Sequence, residues 1–345
     1  MFRLTFLGTS SGVPTDERNV SAVVVECMQQ NTAAKNHPWI LVDCGEGTQH
    51  QILRSSLSFT YLQAILITHV HGDHCYGLPG LLASLGMHGR KAPLAIIAPQ
   101  AILTVLTVLK QATQWHVSYD ICFFAIEDLL TQNANDTDGY HYRLTLNDGH
   151  IININIYELS HRCPSYGFAL HQELSKQNLD TQKLDELGIH KTAWRHILQA
   201  QNASQMQIGE HTLNPKDFII NQHKQLKIVI AGDNDNPSLL SQAVKDATAL
   251  VHEATYTDNI RQKILSKPTD QGGFDPKHSS VKMVAEFAQR QHIPMLILTH
   301  FSARYALFED IGSKRPNMAH IKDEACQYYD GALVLAKDFL QVVID

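Results

Sequence analysis

The stretch Thr68–His74, which reads Thr-His-Val-His-Gly-Asp-His, constrains this chain more than any other. It follows the apolar run Ala64–Ile67, which has the character of a strand, and it precedes Gly77–Leu85, which we expect to form a helix. The polar motif therefore lies where a buried strand gives way to a helix.

The spacing within this motif places its ligand-type side chains close together. Because alternate residues of an extended chain point to one side, His69 and His71 share a face. Gly72 permits a tight turn that brings Asp73 and His74 round to the same place. Three imidazoles and one carboxylate within six residues form a donor set suited to zinc or manganese. The sequence therefore predicts a metal site, the alternative being a polar turn that happens to be rich in histidine.

Composition limits the classes of protein to which the chain can belong. Its 345 residues are 44% hydrophobic and 18% charged, which is typical of a globular protein. The net charge of −6 argues against a broad basic face, so contact with nucleic acid would use local patches. No apolar run approaches the length of a membrane span, and the first residues lack a secretory layout. The six cysteines show no CxxC spacing, so we expect a reducing cytoplasmic location without disulfides.

Hydrophobic periodicity predicts a strand-rich chain punctuated by helices. Besides the elements around the motif, strands are expected at Arg3–Leu7, Ser21–Met28, Trp39–Asp43, Leu94–Ala98, Val117–Phe124, Tyr140–Leu146, Ile151–Leu159, Lys227–Ala231, Ala249–His252, Met295–Thr299, Ala332–Ala336 and Leu340–Val343. Helices are expected at Gln49–Arg54, Pro99–Gln111, Thr181–Leu187, Pro237–Asp246, Ser279–Gln291 and Ala319–Tyr329. This pattern favours one domain over residues 1–345, built as two sheets packed face to face with helices outside. The polar stretch Gln172–Gln207 is expected to form an inserted arm.

Three further residues repeat one local context. His161, Asp233 and His300 each follow an apolar strand directly and begin a loop. Taken alone, each is more often a structural polar group than a ligand. Their recurrence in the same setting favours partners for the metal motif, because one motif rarely supplies four ligands to a single ion.

The order of these residues resembles that of the metallo-β-lactamase fold, and the surrounding motifs resemble the tRNA 3′-processing endonucleases of the ribonuclease Z family. The matching pieces are Phe6–Pro14, Arg18–Ser21, Val42–Gln49, Thr68–His74, His252–Tyr256, Lys277–Ser280 and Leu298–Tyr305. The resemblance implies an α/β fold, the αββα sandwich of two mixed sheets with outer helices and an inserted arm.

The resemblance also implies a binuclear metal centre. Two zinc ions per chain are expected, with manganese as the alternative metal. The implied ligands are His69, His71 and His161 for one ion, Asp73, His74 and His300 for the other, and Asp233 as a bridge. Asp73 would also take a proton from the attacking water. Independently of the family, two metals ~4 Å apart suit an in-line phosphoryl displacement, because they stabilise the attacking and leaving oxygens.

A second pair of residues carries the narrower family signal. In the family, the histidine that matches His278 protonates the leaving 3′ oxygen, and the glutamate that matches Glu253 orients it. An imidazole fixed by a carboxylate is a suitable general acid at neutral pH. The alternative is a buried hydrogen bond with no catalytic role.

The implied function is zinc-dependent removal of the 3′ trailer from precursor tRNA, by a homodimer in which one subunit's arm grips tRNA bound to the other. Alternatives are hydrolysis of small phosphodiesters or sulfate esters, or binding of RNA by an inactive relative. Candidate substrate contacts are Lys191, Trp194 and Arg195 in the arm, and Arg304 and Tyr305 after the last ligand.

The chain departs from the family pattern at two places. Asn234 stands where threonine is common, which leaves the preceding ligand intact but changes its surroundings. The arm also lacks the usual basic stretch rich in glycine and proline. An arm of this kind predicts a modest salt dependence of tRNA binding.

Overall fold

The structure is a computed structural model that describes residues 1–28, 36–132, 139–200, 203–209, 211–268 and 274–345, without the side chains of 174–177 and 221–224. It divides into two compact units. The first comprises Met1–Gln172 and Leu226–Asp345, and the second comprises Glu173–Gln225.

The described residues form strands and helices, with several runs of consecutive strands. The strands are β1 (Phe2–Gly8), β2 (Ser10–Ser11), β3 (Ala22–Cys27), β4 (Trp39–Val42), β5 (Leu62–Leu66), β6 (Leu94–Ala98), β7 (Ile121–Ala125), β8 (Tyr142–Thr145), β9 (Ile151–Leu159), β10 (Ser165–Leu179), β11 (Met206–Ile208), β12 (His211–Leu213), β13 (Ile219–Ala231), β14 (Ala249–Glu253), β15 (Met295–Thr299), β16 (Phe301–Ser302), β17 (Ala332–Leu335) and β18 (Gln341–Ile344). The α-helices are α1 (Thr48–Leu53), α2 (Gly72–Cys75), α3 (Leu78–Met87), α4 (Gln100–Thr113), α5 (Ile126–Gln132), α6 (Thr181–Glu186), α7 (Trp194–Gln199), α8 (Asp258–Leu265), α9 (Val281–Arg290) and α10 (Met318–Tyr328). Single turns of 3₁₀-helix lie at Phe59–Tyr61, Lys191–Ala193, Pro215–Phe218 and Pro237–Leu240.

Two seven-stranded mixed sheets form the body of the fold. The first has the order β18-β1-β3-β4-β5-β6-β7, antiparallel from β18 to β4 and parallel from β4 to β7. The second has the order β17-β15-β14-β13-β10-β9-β8, with parallel pairing from β17 to β13 and antiparallel pairing from β10 to β8.

The central strands are buried on both faces, which requires a layer on each side of the sheet. Every residue of β3, β4 and β14 is buried. One face of the first sheet packs against α1, α3 and α4 through an apolar cluster that includes Ile65, Leu81 and Ile102. The second sheet packs in the same way against α9 and α10, through residues such as Leu250 and Val284. The predicted sandwich of two mixed sheets with outer helices is confirmed.

The periodicity located most elements of the first unit to within a few residues. The strands Leu94–Ala98, Ile151–Leu159 and Met295–Thr299 have the predicted bounds. The predicted helix at Pro237–Asp246 is wrong, because only Pro237–Leu240 is helical, as a 3₁₀ turn, and turns follow it. Leu240, Ala243 and Val244 are buried in the cluster around α9, so tertiary packing outweighs helix propensity there.

The second unit holds most of the predicted arm, Gln172–Gln207, and continues to Gln225. It contains α6, α7 and the hairpin of β11 and β12. A small apolar cluster lies within it, formed by Leu184, Ile189, Ile197, Leu213 and Phe218. The unit carries six acidic and six basic residues, so it is less acidic than the rest of the chain but not basic.

In the part of the chain that the structure describes, no helix combines the length and apolar character that crossing a membrane requires.

Candidate metal centre and catalytic cleft

The first group of ligand-type side chains gathers at the ends of strands from both sheets. His69 and His71 follow β5, His161 follows β9, and Asp233 follows β13. One donor atom from each of these four residues lies within 4.8 Å of the others. His161 Nε2 is 3.1 Å from His71 Nδ1, and Asp233 Oδ2 is 3.7 Å from Nε2 of both His69 and His161.

The second group lies beside the first. It consists of Asp73 and His74 from α2 and His300 from the end of β15. His300 Nε2 is 3.2 Å from His74 Nε2 and 3.3 Å from Asp73 Oδ2.

Asp233 faces both groups with different oxygens. Its Oδ2 approaches the first group, whereas its Oδ1 is 3.4 Å from Nε2 of both His74 and His300. This geometry is the one that a bridging carboxylate requires, and Asp233 is 3% exposed.

The chemistry of this donor set fits divalent metal ions. His69 is fully buried, and its Nε2 has no hydrogen-bond partner among the described residues, so a buried lone pair points into the first group. Burial lowers the pKa of His69 well below its ordinary value, and neighbouring histidines lower it further, so the ring is neutral. A neutral imidazole is the form that binds metal.

Asp43 supports the centre from behind, and the sequence reasoning did not assign it this role. Its carboxylate accepts hydrogen bonds from the Thr68 amide (2.8 Å) and hydroxyl (2.9 Å), and it lies 2.7 Å from His74 Nδ1. The backbone of Asp43 is left-handed, with φ 61°. A carboxylate behind a ligating histidine fixes the ring and its tautomer. The signal for Asp43 in the sequence was its position at the end of a buried strand.

The other ligand-type side chains are also held by neighbouring groups. His161 Nδ1 donates to the Lys277 carbonyl at 2.8 Å, which leaves Nε2 facing the first group. Thr255 Oγ1 lies 3.1 Å from His300 Nδ1, and the Gly12 amide donates to Asp73 Oδ2 at 2.7 Å. His300 adopts a left-handed backbone, with φ 57°.

Glu253, which is buried, and His278, which is partly exposed, form a hydrogen-bonded pair at the edge of the same centre. His278 Nδ1 is 2.9 Å from Glu253 Oε2, so Nε2 is the nitrogen left to face substrate. Burial lowers the pKa of His278, but the charges of Glu253 and Asp233 outweigh it and raise the pKa to about 9. Although burial opposes ionisation of Glu253, the charge of His278 lowers the pKa of that carboxyl to about 2. The pair therefore combines a carboxylate with an imidazolium near neutral pH.

His278 also lies close enough to Asp233 and His300 to form a third ligand-like group with them.

A cleft of about 470 Å³ opens over these residues. Its lining combines ligands with side chains from the surrounding loops: Ser11, Gly12, Val13, His71, Gly72, Asp73, His161, Arg162, Asp233, Tyr256, Phe274, Pro276, His278, Ser302 and Ala303.

The structure separates the two predicted contacts that follow His300. Arg304 is exposed, and its guanidinium lies over the Tyr256 ring, 5.4 Å from the centroid, beside the cleft. Tyr305 is only 1% exposed, and its hydroxyl is hydrogen-bonded to Thr257 at 2.8 Å. Tyr305 is therefore a core residue, and its predicted contact with substrate does not fit this position.

The three predicted contacts in the arm belong to the second unit. Lys191 and Arg195 are exposed. Trp194 is half-buried against the apolar cluster, and its Nε1 donates to the Ile189 carbonyl at 3.2 Å. The indole therefore contributes to the arm's own packing, which reduces the ring surface open to a base.

Asn234, the departure from the family pattern, is fully buried beside Glu253. Its amide N–H donates to Glu253 Oε1 at 2.7 Å, and its side-chain oxygen accepts from Asn236 at 3.1 Å and from Ser160 at 3.3 Å. The asparagine thus connects the loop of Asp233 with the Glu253–His278 pair.

Comparison with known proteins gives one family model and many close relatives. The model described as Anti-Pycsar protein Apyc1 matches residues 2–214. The chain is 39% identical over 339 residues to Ribonuclease Z of Pseudomonas putida (strain W619), covering 97% of this chain and 94% of the relative. It is 37% identical over 335 residues to Ribonuclease Z of Marinobacter nauticus, with the same coverage.

A solved structure shares the fold. The human tRNase Z, short form (ELAC1), superimposes with a TM-score of 0.59 at 24% identity, covering 99% of both chains. At this identity the structural likeness speaks for the metallo-β-lactamase fold alone, whereas the relatives above share more than a third of their residues over nearly the whole chain. The chain therefore belongs to the ribonuclease Z family of metal-dependent hydrolases.

Proposed function

We propose that this protein is a zinc-dependent endoribonuclease that removes the 3′ trailer from precursor tRNA. The observation that carries the proposal is that two groups of ligand-type side chains, both facing Asp233, lie beside the hydrogen-bonded Glu253–His278 pair. Relatives named Ribonuclease Z and a structure named tRNase Z support the choice of substrate.

Two zinc ions would be held by the residues already grouped, with manganese as the alternative. The first ion would take His69, His71 and His161, the second would take Asp73, His74 and His300, and Asp233 would serve both. When bound, such ions supply Lewis-acid stabilisation of the developing charge and lower the pKa of a coordinated water.

The side chains of this chain supply the proton transfers. Asp73 lies at the cleft surface, and its carboxylate is the group that takes a proton from the attacking water. His278 is protonated near neutral pH and presents Nε2, so it gives a proton to the leaving 3′ oxygen. Glu253 orients the imidazole and stabilises its charged form.

We place the second unit, Glu173–Gln225, which holds most of the predicted arm, at the tRNA body, where Lys191 and Arg195 would contact phosphates. In keeping with the family resemblance, we propose a homodimer in which this arm serves the partner's cleft. The six free cysteines suit a reducing compartment, for which the cytoplasm is the natural choice.

Hydrolysis of small phosphodiesters is a second candidate, because a cleft of about 470 Å³ has the size of a site for a small molecule. The two candidates are separated by incubating the protein with a 3′-extended precursor tRNA and, in parallel, with bis(p-nitrophenyl) phosphate, each with and without chelator.

We expect chelator-sensitive cleavage of the precursor at the 3′ side of the acceptor stem. Hydrolysis of the small ester without any cleavage of the precursor would reject the tRNA assignment. Full activity of both reactions after exhaustive chelation would reject the metal mechanism.

A further inference from the structure

An exposed aromatic ring stands at the mouth of the catalytic cleft. Phe274 lines the cleft and is 60% exposed, more than Phe308 at 42%, the other phenylalanine among the large exposed apolar residues of the described chain. A single exposed apolar side chain is common on protein surfaces and by itself requires no explanation. The neighbours of Phe274 give it a more specific meaning.

Arg162 lies over this ring. Its guanidinium carbon is 6.0 Å from the Phe274 centroid, and its side chain is exposed and also lines the cleft. Within the described residues no carboxylate forms an ion pair with Arg162, so its donors are available to another acceptor. The planar guanidinium suits phosphate, because it can donate two parallel hydrogen bonds.

The loops that carry Arg162 and Phe274 are connected to each other next to the candidate metal centre. Arg162 follows His161 directly, and His161 Nδ1 donates to the Lys277 carbonyl, which ties the two loops together. The Lys277 amide donates to Asp275 Oδ1 at 2.9 Å, and its Nζ lies 3.0 Å from Asp235 Oδ2. The loop that carries Phe274 is thus anchored a few residues after the ring, which limits the entropy lost when the ring binds a partner.

We propose that Phe274 and Arg162 form a nucleotide subsite, in which the ring stacks on the base beside the scissile phosphate and the guanidinium contacts an adjacent phosphate. The subsite rests on the proposed endoribonuclease function and deepens it. An aromatic ring can stack on any base, which suits a trailer of varied sequence. In a chain with a net charge of −6, an arginine without an ion-pair partner among the described residues gives the cleft a local positive charge for phosphate.

The test measures coupling between the ring and the base. Wild type, Phe274→Ala and Phe274→Trp are each assayed on three 3′-extended precursor tRNAs. One is the intact RNA, one has an abasic nucleotide on the 5′ side of the scissile bond, and one has it on the 3′ side. We expect Phe274→Ala to lower kcat/KM on intact RNA by about 5- to 150-fold, the range typical of base–aromatic stacking. Phe274→Trp should retain activity.

On one of the two abasic substrates, Phe274→Ala should then cause almost no further loss, because the base it would have stacked on is already missing. Phe308→Ala is the matched control, since Phe308 is also exposed beneath an arginine, Arg315 at 5.9 Å, but does not line the cleft. It should leave kcat/KM unchanged.

Arg162→Gln should lower kcat/KM and reduce the slope of log kcat/KM against log salt concentration by about 0.7, as expected for one contact with a single-stranded phosphate. Arg162→Lys should restore the slope. If Phe274→Ala lowered kcat/KM on both abasic substrates by the same factor as on intact RNA, the subsite would be overturned while the proposed function stayed in place. Wild-type kcat/KM of Phe274→Ala on intact RNA would have the same meaning. A wild-type protein that cannot cleave the intact RNA would overturn both.

Discussion

Replacing Asp43 by asparagine removes a charge behind the metal ligands while preserving the shape of the side chain. In the wild type, the carboxylate accepts two hydrogen bonds from Thr68 and faces His74 Nδ1 at 2.7 Å. When His74 Nε2 serves as a ligand, Nδ1 carries the proton and donates it to Asp43. In Asp43→Asn, one oxygen still accepts from Thr68, but an amide nitrogen then meets the Nδ1 proton, so two donors face each other.

The expected consequence is weaker metal binding with an intact fold. Loss of a group that orients a metal ligand typically reduces affinity by about 10- to 100-fold, which corresponds to about 1.4 to 2.7 kcal/mol. The zinc dissociation constants of both proteins are measured by competition with a chelator of known affinity, alongside thermal unfolding of the metal-free forms.

Glu26→Gln is the matched control for loss of a buried carboxylate. Glu26 is 4% exposed and pairs with Arg3 on the first sheet, outside the ligand groups. It should leave zinc affinity unchanged. An Asp43→Asn protein that folds and binds zinc as tightly as wild type would refute the assigned role of Asp43.

Other parts of the proposal give separate tests. Elemental analysis should find about two metals per wild-type chain and clearly fewer in Asp233→Ala, because that carboxylate faces both groups; full occupancy with full activity would exclude the bridge. His278→Ala should lower turnover by about 10²- to 10⁴-fold with metal content intact, and Glu253→Ala should lower turnover by a smaller factor. Loss of zinc from His278→Ala would instead make His278 a ligand. Replacing Glu173–Gln225 by a short turn should reduce kcat/KM for precursor tRNA, by about tenfold for every 1.4 kcal/mol of binding free energy lost. Hydrolysis of bis(p-nitrophenyl) phosphate should stay nearly unchanged. Equal loss on both substrates would mean that this unit supports the fold or the dimer.

The elements that sequence predicts well are those whose hydrophobic pattern has one interpretation. Leu94–Ala98 and Met295–Thr299 are short apolar runs bounded by polar residues, and both have the predicted bounds. The same logic placed His161, Asp233 and His300 at strand ends, and the structure brings them together with Thr68–His74. Their binding of metal remains a prediction.

Sequence failed where a residue's role depends on contacts distant in the chain. Tyr305 was a candidate substrate contact, but it lies in the core with its hydroxyl hydrogen-bonded to Thr257. The position of Asp43 at a strand end did not identify His74 as its partner, and the contact of Phe274 with Arg162 joins loops far apart in sequence. The strand β10 was not predicted, and its residues from Gln172 onward have the polar composition that suggested an inserted arm.

The ligand groups draw on the ends of strands from both sheets, so they exist only once the two sheets have packed together. Metal affinity is in this respect a property of tertiary structure, and a fragment carrying Thr68–His74 alone would lack His161, Asp233 and His300. Ions that bind only the folded chain shift its unfolding equilibrium, by ~2.7 kcal/mol per site at a free concentration one hundred times the Kd. Supply of metal would then govern how much of the newly made protein survives proteolysis, as well as how much of it is active.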